Sequence, residues 1–239
     1  MRDYLSSVIT LRATPLPQEL SWLAAHQDYS SEPVCDYISD STEEEFGERI
    51  IRNLFANKRG HFGVVEHAHI TVNCIYQPHD VVAQVTRHRH ATFDVQSFRY
   101  TSDSIMAVKN ITDVEKAVYV RPVGTYTSRQ GAKYEWTQEQ REEKLRHALQ
   151  ACRMYTQDIY DGVSEEHARQ SLPYSLRQHF VMTVNIRTLM HMLLLRAKKD
   201  AQVETQWFAD DLFLCFKDWC PEFAKWTEVN IINKGVISP

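Results

Sequence analysis

Scarcity of glycine is the strongest constraint on what this chain can fold into. Only 7 of its 239 residues are glycine, and neither GxGxxG nor GxxxxGK followed by Ser or Thr occurs. The dinucleotide-binding α/β fold and the P-loop fold both use such glycines to form a tight, phosphate-binding turn. A nucleotide bound by this chain would therefore be held by arginine side chains and helix N-termini.

Hydrophobic periodicity predicts one α+β domain that covers residues 1–239 and contains no repeats or linker. Apolar residues alternate with mostly polar ones from Ala68 to Tyr76, which predicts a half-buried strand. Residues 137–160 carry an apolar stripe at helical spacing, which predicts a long helix. Further helices are predicted from 188 to 199 and from about 207 to the residues before Pro221.

Other elements are predicted from capping and turn residues. Ser41 and Glu44 fit a capping box that opens a helix ending near Gly60. Pro78 is placed at the start of a short helix that ends at Arg87. Residues 101–135 show little helical periodicity and are interpreted as strands and loops, with strands around 117–120 and 125–127.

Charge and cysteine content exclude several classes of protein. The formal net charge of -4 argues against a general nucleic-acid binder, which would carry a basic excess. Apolar runs are too short to span a bilayer or to form a signal peptide, so we expect a cytoplasmic protein without a membrane partner. The five cysteines are odd in number and lack CxxC spacing, so neither a disulfide framework nor a metal site is expected.

The most unusual segment runs from Arg87 to Tyr100 and begins Arg-His-Arg. Two guanidinium groups that flank an imidazole can bind phosphate or carbonyl-rich rings, and their planes can stack on aromatic systems. Ser97 and Arg99 lie two residues apart, so on an extended chain they point the same way and could hold one phosphate. An Arg-His-Arg run by itself is more typical of a solvated basic surface.

Three blocks of sequence together resemble the flavin-dependent thymidylate synthases. Arg-His-Arg is followed by seven residues and then Ser97, within Ser-x-Arg-Tyr. Residues 168–196 are similar to the family's stretch of Arg-x-x-Leu-Pro, Asn-x-Arg-Ser-Leu and Leu-Arg. Residues 61–67 end in Glu-His before a strand, as in the family. The blocks occur in the family's order, and the resemblance runs from about residue 45 to 225.

The resemblance implies an α+β fold with a mixed or antiparallel sheet and several long helices. It also implies an enzyme that methylates dUMP to dTMP, with FAD as cofactor and with NADPH and methylenetetrahydrofolate as co-substrates. The FAD contacts implied are His61, Arg87, His88, Arg89, Asn185, Arg187 and His191. The dUMP contacts implied are Gln84, Arg87, Gln96, Ser97, Arg99, Arg169 and Arg196.

Arg196 is the predicted catalytic residue. No cysteine lies in the Pro-Cys-His context of the cysteine-dependent thymidylate synthases. Instead of adding a thiolate, the protein could polarise the uracil ring with a guanidinium beside N3 and O4, which raises electron density at C5. An arginine does not lose its proton in proteins, so this role is electrostatic. Without the resemblance, a cation at the end of an apolar helix would be read as a partner of the helix dipole.

Some positions depart from the family pattern. Thr92 stands where Ser is common, Asp94 where Asn is common, Val95 where Glu is common and His191 where Asn is common near the flavin. The hydroxyl of Thr92 and a hydrogen-bond donor at His191 are preserved. None of these changes removes an arginine.

The resemblance further implies a homotetramer in which each site is built from several subunits. The apolar faces of residues 188–219 suit such an interface and equally suit a monomer core. A second hypothesis is a non-catalytic nucleotide- or RNA-binding module that uses the arginine-rich loop for phosphates. The acidic net charge, together with Arg169, Arg187 and Arg196 outside that loop, argues against it.

Overall fold

The computed structural model describes residues 2–56, 60–128 and 130–233. The strands are β1 (Ser7–Ala13), β2 (His69–Pro78), β3 (Ala91–Val95), β4 (Gly124–Thr127), β5 (Lys133–Trp136) and β6 (Arg177–Asn185). The α-helices are α1 (Pro17–Gln27), α2 (Glu43–Ile50), α3 (His79–Val85), α4 (Asp103–Met106), α5 (Ile111–Ala117), α6 (Gln138–Tyr160), α7 (Glu165–Ala168), α8 (Ile186–Arg196), α9 (Val203–Trp219) and α10 (Pro221–Thr227).

Four strands form one sheet in the order β1-β2-β6-β3, and β4 pairs with β5 in an antiparallel ladder that sets Gly124 opposite Trp136. In β2 every second residue from Ile70 to Cys74 is fully buried, which confirms the predicted strand. The alternation stops at Tyr76, whose φ of 51° lies in the left-handed region. The next residue, Gln77, is buried.

By its contacts the chain divides into two compact units. The first unit comprises Met1–Ser7, Cys74–Val85 and Asp94–Phe180, and the second comprises Val8–Asn73, Thr86–Phe93 and Val181–Pro239. Because the chain passes several times from one unit to the other, no single cut separates them. A single domain over residues 1–239 stays a prediction.

The core of the first unit is built around α6. Thr137 begins this helix with a capping box that it forms with Gln140. Leu145, Cys152 and Tyr155 form the buried stripe that the periodicity predicts. They pack in one apolar cluster with residues of α4, α5 and α7.

Residues 101–135 differ from the prediction of strands and loops. They contain α4 and α5, and only Thr125–Thr127 was correctly predicted as a strand, within β4. Asn110 caps α5 by accepting a hydrogen bond from the Asp113 backbone at 3.1 Å. Helices of one or two turns show too few repeats for a helical period to be recognised. Near 117–120 the structure has only an isolated bridge from Val118 to Leu176.

Two predicted helix starts lie one residue from the starts in the structure. Thr42, rather than Ser41, caps α2: it accepts from the Glu45 backbone at 3.2 Å, and Glu45 accepts from the Thr42 backbone at 2.9 Å. Both pairs fit the same sequence rule, so spacing alone could not choose between them. The helix continues as a π-helical turn over Ile51–Phe55, and its predicted end near Gly60 adjoins residues 57–59, which lie outside the described ranges. Similarly, Pro78 closes β2 and α3 begins one residue later.

The second unit contains α1, α2, α8, α9 and α10, with α8 at its core. Six residues of α8 are buried: Ile186, Leu189, Met190, Met192, Leu193 and Leu194. This burial fixes the helix, and with it the two arginines at its ends, Arg187 and Arg196. Within the described ranges, no helix is both long and apolar enough to cross a membrane.

Candidate active site

A cleft of about 680 Å³ opens in the second unit, within the size range of cofactor sites. Among the residues that the structure describes, its lining contains four arginines, three histidines and one carboxylate: Arg87, Arg89, Arg187, Arg196, His88, His90, His191 and Glu66, together with Asn185, Thr188 and Leu195. The excess of guanidinium groups over carboxylates suits a ligand that carries several negative charges. Among the described residues, no group of His, Cys, Asp or Glu could hold a metal ion.

One wall of the cleft is the loop from Thr86 to His90, which joins α3 to β3. The Ala91 backbone N–H donates to the His88 carbonyl at 3.2 Å, which closes a turn at the end of the loop. Arg87 and Arg89 are exposed, whereas His88 is only 7% exposed. The consecutive Arg-His-Arg residues therefore enter the cleft as two outer cations around a buried imidazole.

The other wall is α8 with the residue that precedes it. Asn185 ends β6 and caps α8, because its Oδ1 accepts from the Thr188 backbone N–H at 2.8 Å. Arg187 follows in the first turn, and its Nη1 lies 2.5 Å from the Glu66 carboxylate in a half-exposed ion pair. The cap, the positive end of the helix dipole and Arg187 thus lie at one end of the cleft.

At the last residue of α8, Arg196 reaches the Arg-His-Arg loop. Its Nε donates a hydrogen bond to His88 Nε2 at 3.1 Å. Burial, together with the positive charge of Arg196 and with His191, lowers the pKa of His88 to about 4. His88 is thus a neutral imidazole at physiological pH, and Nε2 is its unprotonated nitrogen.

His191 completes the buried face of the cleft. Its ring lies edge-on to His88, with the centroids 5.8 Å apart. Burial and then the charge of Arg196 lower the pKa of His191. Burial and the neighbouring Arg87 lower the pKa of Arg196 as well, although a guanidinium remains charged in proteins.

Six of the seven predicted FAD contacts line this cleft, together with Arg196. They are Arg87, His88, Arg89, Asn185, Arg187 and His191. His61 is exposed and outside the lining, and its backbone N–H donates to the Leu54 carbonyl at 3.3 Å. The sequence interpretation missed Glu66, His90, Thr188 and Leu195. Each of these four residues either adjoins a predicted site residue or lies inside one of the blocks that resemble the family. That position in the sequence is the signal by which they could have been found.

The other predicted dUMP contacts lie in the first unit: Gln84, Gln96, Ser97, Arg99 and Arg169. Arg99 Nε lies 3.3 Å from the Glu166 carboxylate in a half-exposed pair, and Ser97 Oγ accepts from the Arg99 backbone at 3.4 Å. Arg169 is exposed in a 3₁₀ turn three residues after Glu166.

Gln96 has a structural use in the first unit that the sequence did not indicate. Its Oε1 accepts from the His179 backbone N–H at 3.1 Å, and its Nε2 donates to Thr101 at 3.0 Å. These bonds tie the residue to β6 and to the loop that follows β3. A contact between Gln96 and dUMP stays a prediction.

The cysteines are poor candidates for a nucleophile. Cys74, Cys152, Cys215 and Cys220 are buried, and only Cys35 is exposed. Burial raises the pKa of Cys152 to about 11, and burial is also the first cause of the raised pKa of Cys215 and Cys220. A raised pKa disfavours the thiolate, which is the reactive form. None of the five lines the cleft.

Comparisons with known proteins show which family this chain is similar to. The family model for "Thymidylate synthase complementing protein" matches residues 10–222. The flavin-dependent thymidylate synthase of Haloarcula marismortui is 33% identical over 234 residues, which cover 91% of this chain and 93% of that protein. The enzyme of the same name from Halobacterium salinarum is 33% identical over 237 residues, which cover 94% of this chain and 96% of that protein.

Solved structures show the same fold. Thymidylate synthase X from Helicobacter pylori, with FAD and dUMP, has a TM-score of 0.70 at 21% identity and covers 95% of this chain and 99% of its own. The UMP/dUMP methylase PolB from Streptomyces cacaoi, bound with 5-Br dUMP, has a TM-score of 0.74 at 21% identity. The match covers 98% of this chain and 97% of the PolB chain. The predicted α+β fold is confirmed. The match to the family model and the two relatives together show that this chain belongs to the flavin-dependent thymidylate synthase family of enzymes.

Proposed function

We propose that this chain catalyses the reductive methylation of dUMP to dTMP, with FAD reduced by NADPH and with methylenetetrahydrofolate as the one-carbon donor. One observation carries the proposal. The Arg-His-Arg loop and α8, about a hundred residues apart in the sequence, meet in one cationic cleft. The residues that meet there include six of the seven that the family resemblance assigns to FAD, together with Arg196, which it assigns to the uracil ring.

The chemistry of the donor set fits FAD. Its pyrophosphate carries two negative charges and its isoalloxazine ring is planar and rich in carbonyl groups, which guanidinium groups bind well. Arg87, Arg89 and Arg187 would bind these groups, with Asn185 and the first turn of α8 beside them. When bound and reduced, FAD supplies the hydride that completes the methyl group.

Arg196 would activate the pyrimidine. Its guanidinium is half-buried, so its charge is less screened than that of a surface arginine. A fixed cation beside N3 and O4 would stabilise an anionic form of the uracil ring, in which C5 carries more electron density and can attack the one-carbon unit. No thiolate is needed, which agrees with the buried, protonated cysteines.

The family resemblance implies that each active site is built from several subunits. Ser97, Arg99 and Arg169 are substrate contacts that the same resemblance implies. We infer a cytoplasmic homotetramer in which a second subunit supplies these residues to the cleft of the first. The acidic net charge of -4 supports a small-molecule substrate over nucleic acid.

An absorbance spectrum of the purified protein separates the enzyme from the alternative module. We expect flavin bands, with FAD released on denaturation and identified by chromatography. A colourless protein that does not take up added FAD and that retains RNA would instead support a non-catalytic RNA-binding module.

Replacing Arg89 with alanine is expected to weaken FAD retention, because a phosphate- or ring-binding guanidinium is lost from the cleft. The measurement is FAD per subunit after gel filtration. Arg146→Ala, at an exposed position of α6, is the matched control and should keep the wild-type ratio. An unchanged ratio in Arg89→Ala would remove Arg89 from the cofactor site.

Replacing all five cysteines with serine or alanine is expected to leave dTMP formation largely intact. Four of the side chains are buried, so we expect a lower melting temperature as the cost of lost packing. Turnover is to be measured on folded, FAD-loaded protein. Loss of dTMP formation from one cysteine replacement alone, in protein that still holds FAD, would contradict activation by polarisation.

A further inference from the structure

The contact between His88 and Arg196 differs in kind from the contact between Arg187 and Glu66. Arg187 pairs with the Glu66 carboxylate at 2.5 Å. Arg196 donates from Nε to the imidazole of His88 at 3.1 Å. A carboxylate brings a counter-charge to the guanidinium that it binds, whereas a neutral imidazole orients the guanidinium without adding one.

Orientation matters at Arg196 because its side chain is long and the group it would act on is planar. An arginine side chain loses rotamer entropy when it is fixed, so a neighbour that already holds its orientation lowers that cost at the moment of reaction. A hydrogen bond from Nε restricts the plane of the guanidinium, since Nε lies in that plane. His88 can provide this restraint because it is itself 7% exposed and closes its loop through the bond from Ala91.

We propose that His88 is a positioning residue that orients the Arg196 guanidinium toward the pyrimidine through a neutral acceptor, which adds no counter-charge of its own. The inference rests on the proposed function, and it assigns His88 a role beyond contact with FAD. His88 does not exchange a proton with the substrate in this account.

The surroundings of His88 keep it neutral over the working pH range. Arg196 and His191 face it from α8, and Arg87, Arg89 and His90 flank it in its own loop. Burial and the Arg196 charge lower its pKa to about 4. Protonation would occupy Nε2 and place a second cation against Arg196, so the hydrogen bond is present above that pKa and is lost as the pH falls through it.

The hydrogen bond can be tested without turnover. In protein labelled with ¹⁵N-arginine, the Arg196 Nε–H should exchange slowly with solvent at pH 7, and its signal is identified by its absence in Arg196→Lys. In His88→Ala this Nε–H should exchange faster, whereas His147→Ala, at an exposed histidine of α6, should leave it unchanged. Equal exchange in wild type and His88→Ala would overturn the proposal.

Kinetics then test the positioning role at saturating FAD. We expect His88→Ala to lower kcat for dTMP formation about 10²-fold, since a misplaced catalytic group costs about that much. His88→Gln keeps a neutral acceptor and should recover most of this loss. Flavin reduction by NADPH is to be measured in both variants, and dTMP formation in His88→Ala should fall by a larger factor than flavin reduction does. Equal losses of kcat in the two variants would contradict positioning through an acceptor. So would a wild-type kcat in both variants at saturating FAD, because the defect would then lie only in FAD binding.

The pH profile separates positioning from proton transfer. Because His88 is neutral from pH 5 to 8, His88→Gln should have the same profile as wild type in that range. Loss of a kinetic pKa near neutrality in His88→Gln would show a proton-transfer role and overturn the inference. Failure of the wild-type protein to form dTMP would refute the proposed function, while the exchange experiment would still report on the hydrogen bond.

Discussion

Arg196→Lys is expected to lose most dTMP formation while NADPH oxidation by the bound flavin continues. Lysine keeps the positive charge but lacks the planar fork and the Nε–H that donates to His88. Removing one fixed donor aimed at developing charge typically costs about 10²–10³-fold in kcat. FAD should remain bound, because the arginines of the loop and Arg187 are unchanged.

Both reactions are to be followed in the same sample, so that loss of the fold or of FAD is distinguished from loss of pyrimidine activation. Arg146→Lys, at an exposed position of α6, controls for the substitution itself. Near wild-type dTMP production by Arg196→Lys would show that Arg196 does not activate the pyrimidine. Arg169 would then be the next candidate.

Asp3→Asn is expected to lower the free energy of unfolding by about 3–5 kcal/mol, which is the usual loss when one partner is removed from a buried ion pair. Asp3 and Arg177 form two hydrogen bonds, at 2.6 and 3.0 Å, and each side chain is 5% exposed. Arg177 also donates to the backbone carbonyls of Glu115 at 2.8 Å and Tyr76 at 2.9 Å. Its guanidinium is therefore held in place and would stay buried without a counter-charge.

Urea denaturation at pH 7 measures this loss. Asp40→Asn, at an exposed position, should change the free energy of unfolding little. The double replacement Asp3→Asn with Arg177→Met should be less destabilised than Asp3→Asn alone, because no unpaired charge remains. A loss below about 1 kcal/mol in Asp3→Asn would contradict a buried, paired carboxylate, since that is the range of exposed pairs.

The same pair predicts a dependence of stability on acid. Burial acts to raise the pKa of Asp3, but the hydrogen bonds and charge of Arg177 outweigh it and lower the pKa below the ordinary 3.8. A lowered carboxylate pKa contributes stability that is present above pH 3.8 and is lost as the pH falls through the folded value. In Asp3→Asn this contribution to the acid dependence should be absent.

Long periodic elements could be predicted from the sequence, whereas short ones could not. The stripe on α6 repeats over six turns and α9 over nearly five, so local pattern determines both. α4 has 4 residues and α5 has 7, too few for the period to show. The predicted start of α2 was wrong by one residue because Ser41 and Thr42 both satisfy the capping rule.

The sequence allowed most residues of the candidate site to be named, but it did not allow the contacts between them to be predicted. The family motifs selected Arg87, His88, Arg89 and Arg196, which the structure brings into one cleft. That His88 accepts a hydrogen bond from Arg196, 108 residues away, depends on tertiary packing of the loop against α8. No local pattern encodes such a contact, nor the pairing of Arg177 with Asp3, 174 residues away.

The most direct test of the account is dTMP formation by the purified protein. Protein saturated with FAD is to be incubated anaerobically with dUMP, NADPH and methylenetetrahydrofolate, and dTMP and NADP⁺ are to be quantified by chromatography. We predict one dTMP for each NADPH oxidised, and none when dUMP is left out or when the protein has been stripped of FAD. A folded protein that holds FAD and oxidises NADPH, yet forms no dTMP from dUMP, would contradict the assignment of this cleft as a thymidylate synthase active site.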